Sequence, residues 1–125
     1  MMALNGYQQY KAQSVNTMTN GEMLILLYDE IIKRLTRAEF ALQQGNITLF
    51  DESVIRARDI VRYLIDTLDR SYPISGEIAR MYDFFLYEIS RISAGRNAQV
   101  IQELKPLVQE LRDTFKEADK IRGAH

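Results

Sequence analysis

Apolar residues recur at intervals of three and four along four long stretches of the chain, and most of its six glycines and two prolines fall between those stretches. In the first stretch Leu24, Leu27, Tyr28, Ile31, Leu35, Ala38 and Leu42 share one face, and Gly45-Asn46 follows as an exit signal, which predicts a helix over about 20–44. Thr19 and Glu22 have the spacing of a capping box, and Met18 and Met23 that of a hydrophobic staple. A second helix over about 48–70 starts at Thr48, with Asp51 three residues on, and carries Val54, Ala57, Val61, Leu64 and Leu68. Pro73 drives Tyr72 out of the helical region. Ser75 is then placed to cap a third helix over about 75–94, with Ile78, Met81, Tyr82, Phe85, Ile89 and Ile92 inward and Gly95 closing it. Asn97 opens a fourth over about 97–122, lined by Val100, Ile101, Leu104, Leu107, Val108, Leu111, Phe115 and Ala118. Pro106 falls inside it, removing one backbone bond and predicting a kink or a later start.

Four amphipathic helices with short connections predict an all-α fold, an antiparallel up-down four-helix bundle. Residues 19–123 make that bundle, and residues 1–18 a partly extended N-terminal segment. In that segment Met1, Met2, Leu4, Tyr7, Tyr10 and Val15 stand among Gln, Asn, Ser and Lys, too irregularly for a helix. Three anchors, Tyr7, Tyr10 and Val15, ahead of a capped helix predict a segment lying across a hydrophobic groove.

Length and charge sharpen this picture mainly by exclusion. A chain of 125 residues with 46% hydrophobic residues can bury one core without cross-links. Its net charge of -1 supplies no field for nucleic acid or an anionic membrane. With no Cys there is neither disulfide framework nor thiolate chemistry, which suits a reducing cytosol. The opening MMALNGYQQYKAQSVNTMTN lacks a basic stretch followed by a long apolar run, so no secretory signal is expected. The longest apolar run, Met23 to Tyr28, falls far short of the roughly 20 residues that cross a bilayer. A cytosolic protein without membrane insertion is expected.

Catalytic chemistry finds little to work with. The single His is His125, the last residue printed, so neither Glu-x-x-His metal pairs nor histidine phosphotransfer can be assembled. No glycine loop for phosphates occurs. Asp51-Glu52, Asp66 and Asp69 stand near Arg56, Arg58, Arg62 and Arg70 and read as solvated partners of those arginines. Asp59 and Asp66 interrupt the arginine cluster, which reads as a charged outer face and not a nucleic-acid patch. No cofactor, no metal and no enzymatic activity are expected.

Apolar excess is the informative feature. Met23, Leu24, Ile25, Leu26, Leu27 and Tyr28 run without a break, and Met81, Tyr82, Phe84, Phe85, Leu86 and Tyr87 nearly so. One core-facing stripe cannot use them all, so a second burial partner is implied: the chain's own tail, another subunit or a client helix. Met23, Leu26, Tyr82 and Phe84 lie off the main stripes or border them and are the candidate groove walls. Leu24, Leu27, Ile31, Leu64, Leu68, Phe85, Leu111 and Phe115 are assigned to the core.

Tyr7 and Tyr10, then Ser14-Val15-Asn16-Thr17, Leu26-Leu27-Tyr28-Asp29, Leu68-Asp69, Gly76-Glu77-Ile78-Ala79, Tyr82-Asp83-Phe84 and Leu111-Arg112-Asp113 come in an order that resembles the flagellar secretion chaperone FliS family over nearly the whole chain. Glu30, Ile92-Ser93 and Phe115 depart from residues common in that family. The resemblance implies a cytosolic export chaperone that binds the C-terminal segment of flagellin, prevents its premature polymerisation and delivers it to the flagellar type III export apparatus. It implies Tyr7, Tyr10 and Val15 as a movable cover, with Tyr28 and Asp29 defining the adjacent pocket. It further implies contacts with the export-gate protein FlhA and the flagellin assembly factor FliW, carried by no residue that can be named. A monomer or weak homodimer is expected, and the competing reading is a self-associating helical adaptor with no flagellin client.

Overall fold

A computed structural model of the protein describes residues 20–123; the segment 1–18 and the caps expected at Met18 and Thr19 lie outside them. Four helices follow one another: α1 (Asn20–Gln43), α2 (Ile47–Thr67), α3 (Ser75–Gly95) and α4 (Ala98–Gly123). The connections 44–46, 68–74 and 96–97 are too short for anything but antiparallel neighbours. Across the seam that closes the ring, Asp29 of α1 pairs with Arg112 of α4, and Glu39 with Lys105. Ascending numbers on α1 meet descending numbers on α4, so these helices too run antiparallel. The result is the predicted up-down bundle.

Its core is one cluster of stripes. Tyr28, Ile31, Leu35, Ala38 and Ala41 from α1 meet Phe50, Val54, Ala57, Val61 and Leu64 from α2. Ile78, Tyr82, Phe85, Ile89 and Ile92 come from α3, and Val100, Ile101, Leu104, Val108 and Leu111 from α4. Leu24, Leu27, Leu42, Leu68 and Phe115 pack against it half-buried.

Three predicted inward positions turn out exposed: Met81, Leu107 and Ala118. The reason is where the flanks of α3 and α4 point. Lys105 and Arg112 reach α1, which fixes that side of α4; by helical spacing Leu107 then faces α3, and Met81 and Phe84 lie on the side of α3 that faces α4. These two helices pack less closely than any other adjacent pair, leaving a shallow apolar seam between them.

Helix ends also differ from the simplest reading. Gly45, at φ 68, ends α1 in a Schellman turn, with the Asn46 N–H donating to the Ala41 carbonyl at 2.8 Å. Asn46, and not Thr48, then caps α2 by accepting from the Leu49 N–H at 3.1 Å. The second helix stops at Thr67 because Leu68 turns extended, at ψ 125. Ser75 does not cap α3; it is the first helical residue, and its hydroxyl donates to the Arg70 carbonyl at 3.3 Å, while Ile74 occupies the N-cap without a side-chain bond. Gly95 stays helical, and the left-handed residue that closes α3 is Arg96, at φ 48. Asn97 caps α4 as expected, accepting from Gln99 and Val100. That helix runs through Pro106, which is exposed, so the carbonyl deprived of its N–H partner can turn to water.

Two outcomes follow from this packing. Leu35→Ala should destabilise the fold by about 2 to 5 kcal/mol, while Met81→Ala and Leu107→Ala cost under about 1 kcal/mol each, measured by urea unfolding. Arg96→Gly should raise stability by about 1 kcal/mol, because glycine has no Cβ to strain in the left-handed region.

Candidate functional site

At the end of the bundle where α1 and α3 begin and α2 and α4 finish, the described residues form a partly open cavity of about 650 Å³. Met23, Leu24 and Leu27 of α1, Leu64 of α2, Ile78 and Tyr82 of α3 and Phe115 of α4 make its walls. Tyr63 and the connection residues Tyr72, Pro73 and Ile74 form an aromatic and aliphatic rim. The connection holds its shape through Asp69, whose Oδ1 accepts from the Ser71 hydroxyl at 2.6 Å and the Ser71 N–H at 2.9 Å. Those bonds hold the Asp69 carboxyl below the usual carboxylate range. On the other side the end of α4 comes so near the start of α1 that a Cβ on Gly21 would collide with Asp119 Oδ1. A Cβ there would make the Asp119 side chain shift, and Asp119 is the second carboxylate on the rim. The lining contains Asp69 and Asp119 and no Lys or Arg.

The innermost polar group is a pair of phenols. Tyr28 and Tyr82, from diagonally opposed helices, join hydroxyl to hydroxyl at 2.5 Å, with ring centroids 6.4 Å apart. The Tyr28 ring also sits 5.7 Å from that of Phe115, so α1, α3 and α4 meet here. Burial pushes both phenols above the ordinary tyrosine range, the more so Tyr28, where the negative form would also face its partner.

The predicted site residues are distributed unevenly around this centre. Met23 and Tyr82 line the cavity. Tyr28 is fully buried and touches the cavity walls Tyr82 and Phe115 from behind. Asp29 is exposed and gripped at both oxygens by Arg112, at 2.8 and 3.4 Å. Leu26 and Phe84 are exposed but do not line the cavity; Phe84 belongs to the α3–α4 seam beside Met81. Tyr7, Tyr10 and Val15 lie outside the described residues. Sequence reasoning passed over Tyr63, Tyr72 and Ile74, although an off-stripe Tyr on α2 and an apolar connection were signals that could have marked them. Among the described residues no group of three His, Cys, Asp or Glu side chains could hold a metal ion, and no helix is long and apolar enough to cross a membrane. What the arrangement offers is burial for apolar side chains beside an acidic rim.

The family model described as "Flagellar protein FliS" matches residues 3–122 of the chain. The chain belongs to the FliS family. Among members of that family it is 29% identical over 118 residues to the flagellar secretion chaperone FliS of Bacillus subtilis, covering 94% of this chain and 89% of that one. The FliS of Vibrio cholerae is 27% identical over 116 residues, covering 86% and 84% of the two chains. That of Salmonella typhimurium is 24% identical over 118 residues, covering 91% and 87%.

The phenol pair gives this FliS family member a distinct alkaline limit. Each phenol titrates higher folded than unfolded, so its contribution is intact below about pH 10 and is lost as pH rises above that, by up to about 1.4 kcal/mol per pH unit for each group. Urea midpoints between pH 9 and 12 should therefore fall less steeply in Tyr28→Phe/Tyr82→Phe than in the wild type, the two protein curves differing in slope only at the alkaline end.

Proposed function

We propose that this chain is a cytosolic export chaperone that binds the C-terminal segment of flagellin, keeps it from polymerising early and delivers it to the flagellar type III export apparatus, without enzymatic chemistry. Membership of the FliS family carries the broader role of a flagellar secretion chaperone. The finer reading rests on the end cavity, an apolar recess at the surface of a small bundle whose core is already closed elsewhere. Ordering a disordered client costs roughly 2 to 5 kcal/mol or more, while each fully buried Leu, Phe or Met side chain returns about 1.5 to 3 kcal/mol. Two or three anchors are thus the least that gives useful affinity, and an amphipathic helix supplies them at i, i+3 or i+4 and i+7. In this reading Met23 and Tyr82 receive one anchor, Tyr28 supports Tyr82, and Leu26, Asp29 and Phe84 flank the path of the client outside the cavity. Residues 1–18, through Tyr7, Tyr10 and Val15, cover the cavity when no client is bound. FlhA and FliW enter as partners through family resemblance alone.

The seam of Met81, Phe84 and Leu107 favours a second reading, self-association through α3 and α4. Calorimetric titration with a C-terminal flagellin peptide from the same organism separates the two. One-to-one binding with a negative heat-capacity change is expected, weakened about ten-fold by Met23→Ala. A peptide that fails to bind, together with a stable dimer in sedimentation, would overturn the chaperone reading in favour of the adaptor.

A further inference from the structure

The charge in the lining of the end cavity is of one sign. It holds Asp69 and Asp119 and neither Lys nor Arg, although Arg70 and Lys120 stand next to these residues in the chain. The two acidic residues come from opposite sides of the opening, Asp69 from the connection 68–74 and Asp119 from the end of α4 beside Gly21. Neither is neutralised within the fold. Both Ser71 bonds fall on Oδ1 of Asp69, so among the described residues its Oδ2 has no partner and Asp119 makes no hydrogen bond or ion pair. The Ser71 bonds also favour the ionised form of Asp69, whose charge therefore persists further into the acid range.

We propose that the segment this cavity receives is an amphipathic helix with Lys or Arg along both edges of its apolar face, one edge meeting Asp69 and the other Asp119. The inference rests on the reading of the cavity as the client site and adds the charge that selects the client. A helix that lays an apolar stripe into a recess has two flanks, and here each flank arrives at a carboxylate. At about 650 Å³ the recess is on the order of one Debye length across at physiological salt. The two fields therefore overlap at the opening and act on an approaching segment before contact. Asp69 is exposed and Asp119 half-buried, so they add little to the hold on a bound client. Their effect falls on capture and choice: a cationic flank is drawn in, while an acidic segment is turned away.

Asp69→Asn and Asp119→Asn test this in the full chain, since asparagine keeps the oxygen that Ser71 needs and loses only the charge. In stopped-flow binding of the C-terminal flagellin peptide at low salt, the double variant should associate about five-fold more slowly than the wild type. Its dissociation rate should change less than about two-fold, and the difference should vanish at about 0.5 M salt. The same peptide with the Lys and Arg beside its apolar face changed to Gln should be captured equally by both proteins. Binding that depends on Met23 but ignores both carboxylates leaves the client site standing and overturns this proposal. A peptide that does not bind at all removes both. Equal slowing with the Gln peptide assigns the effect to a disturbed cavity, and a wild-type dimer that the double variant dissolves assigns the cationic partner to a second copy; either result overturns the proposal. Should the double variant not fold, the wild type answers alone: association no faster at about 50 mM than at about 500 mM salt refutes the steering.

Discussion

The other three helices are set against one surface, the buried stripe of α1 running from Tyr28 through Ile31, Leu35 and Ala38 to Ala41. Its narrow residues, the two alanines, lie toward the end of α1 that joins α2 through a three-residue turn. Its widest residue, Tyr28, lies toward the opposite end. Large side chains hold helices apart and small ones let them close, so Ala38 and Ala41 admit Phe50 of α2 near the turn, while Tyr28 fills the width nearer the cavity. The ion pairs Asp29–Arg112 and Glu39–Lys105 follow the same line and fix the register of α4 along α1. Both are partly exposed and contribute little energy, but they decide which side of α4 is left to meet α3.

That decision accounts for the surface. With its charged flank committed to α1, α4 presents Leu107 to α3, and α3 presents Met81 and Phe84, yet the two helices do not close over these side chains. Of the large apolar residues left exposed, Met81, Phe84 and Leu107 lie on the α3–α4 seam and Tyr63, Tyr72 and Ile74 on the cavity rim, while Leu26, Phe40, Ile55 and Tyr87 stand elsewhere. Single exposed apolar residues need no explanation in a small protein, but grouped ones do. They include Met23, Met81, Tyr63 and Tyr72, residues that accept partners of varied shape and tolerate water when none is present.

A polar group beside an apolar recess changes what such a recess selects. Apolar walls alone rank occupants by area and discriminate weakly. A buried donor that must be satisfied penalises any occupant that arrives without an acceptor. The buried Tyr28–Tyr82 pair lies behind the Tyr82 wall, and Asp69 and Asp119 add an acidic preference among the lining residues.

Periodicity alone determined the four helices, most of their inward stripes and the up-down arrangement, because each depends on neighbours three or four residues away and on short connections. The motif order was sufficient for the family. Several features were decided only when helices met. Arg96 takes the left-handed position that Gly95 was expected to fill, its N–H closing the last turn on the Ile92 carbonyl while Gly95 stays helical. Met81 and Leu107 belong to the apolar periodicity but not to the core, because a wheel shows which residues share a face and not which flank finds a partner. Met23 and Tyr82 could be singled out as bordering positions, whereas their meeting with Tyr63, Tyr72 and Phe115 could not. The hydroxyl pair joins residues 54 positions apart in the chain, and no local pattern encodes such a contact. It exists because packing brings two helices together across the diagonal of the bundle.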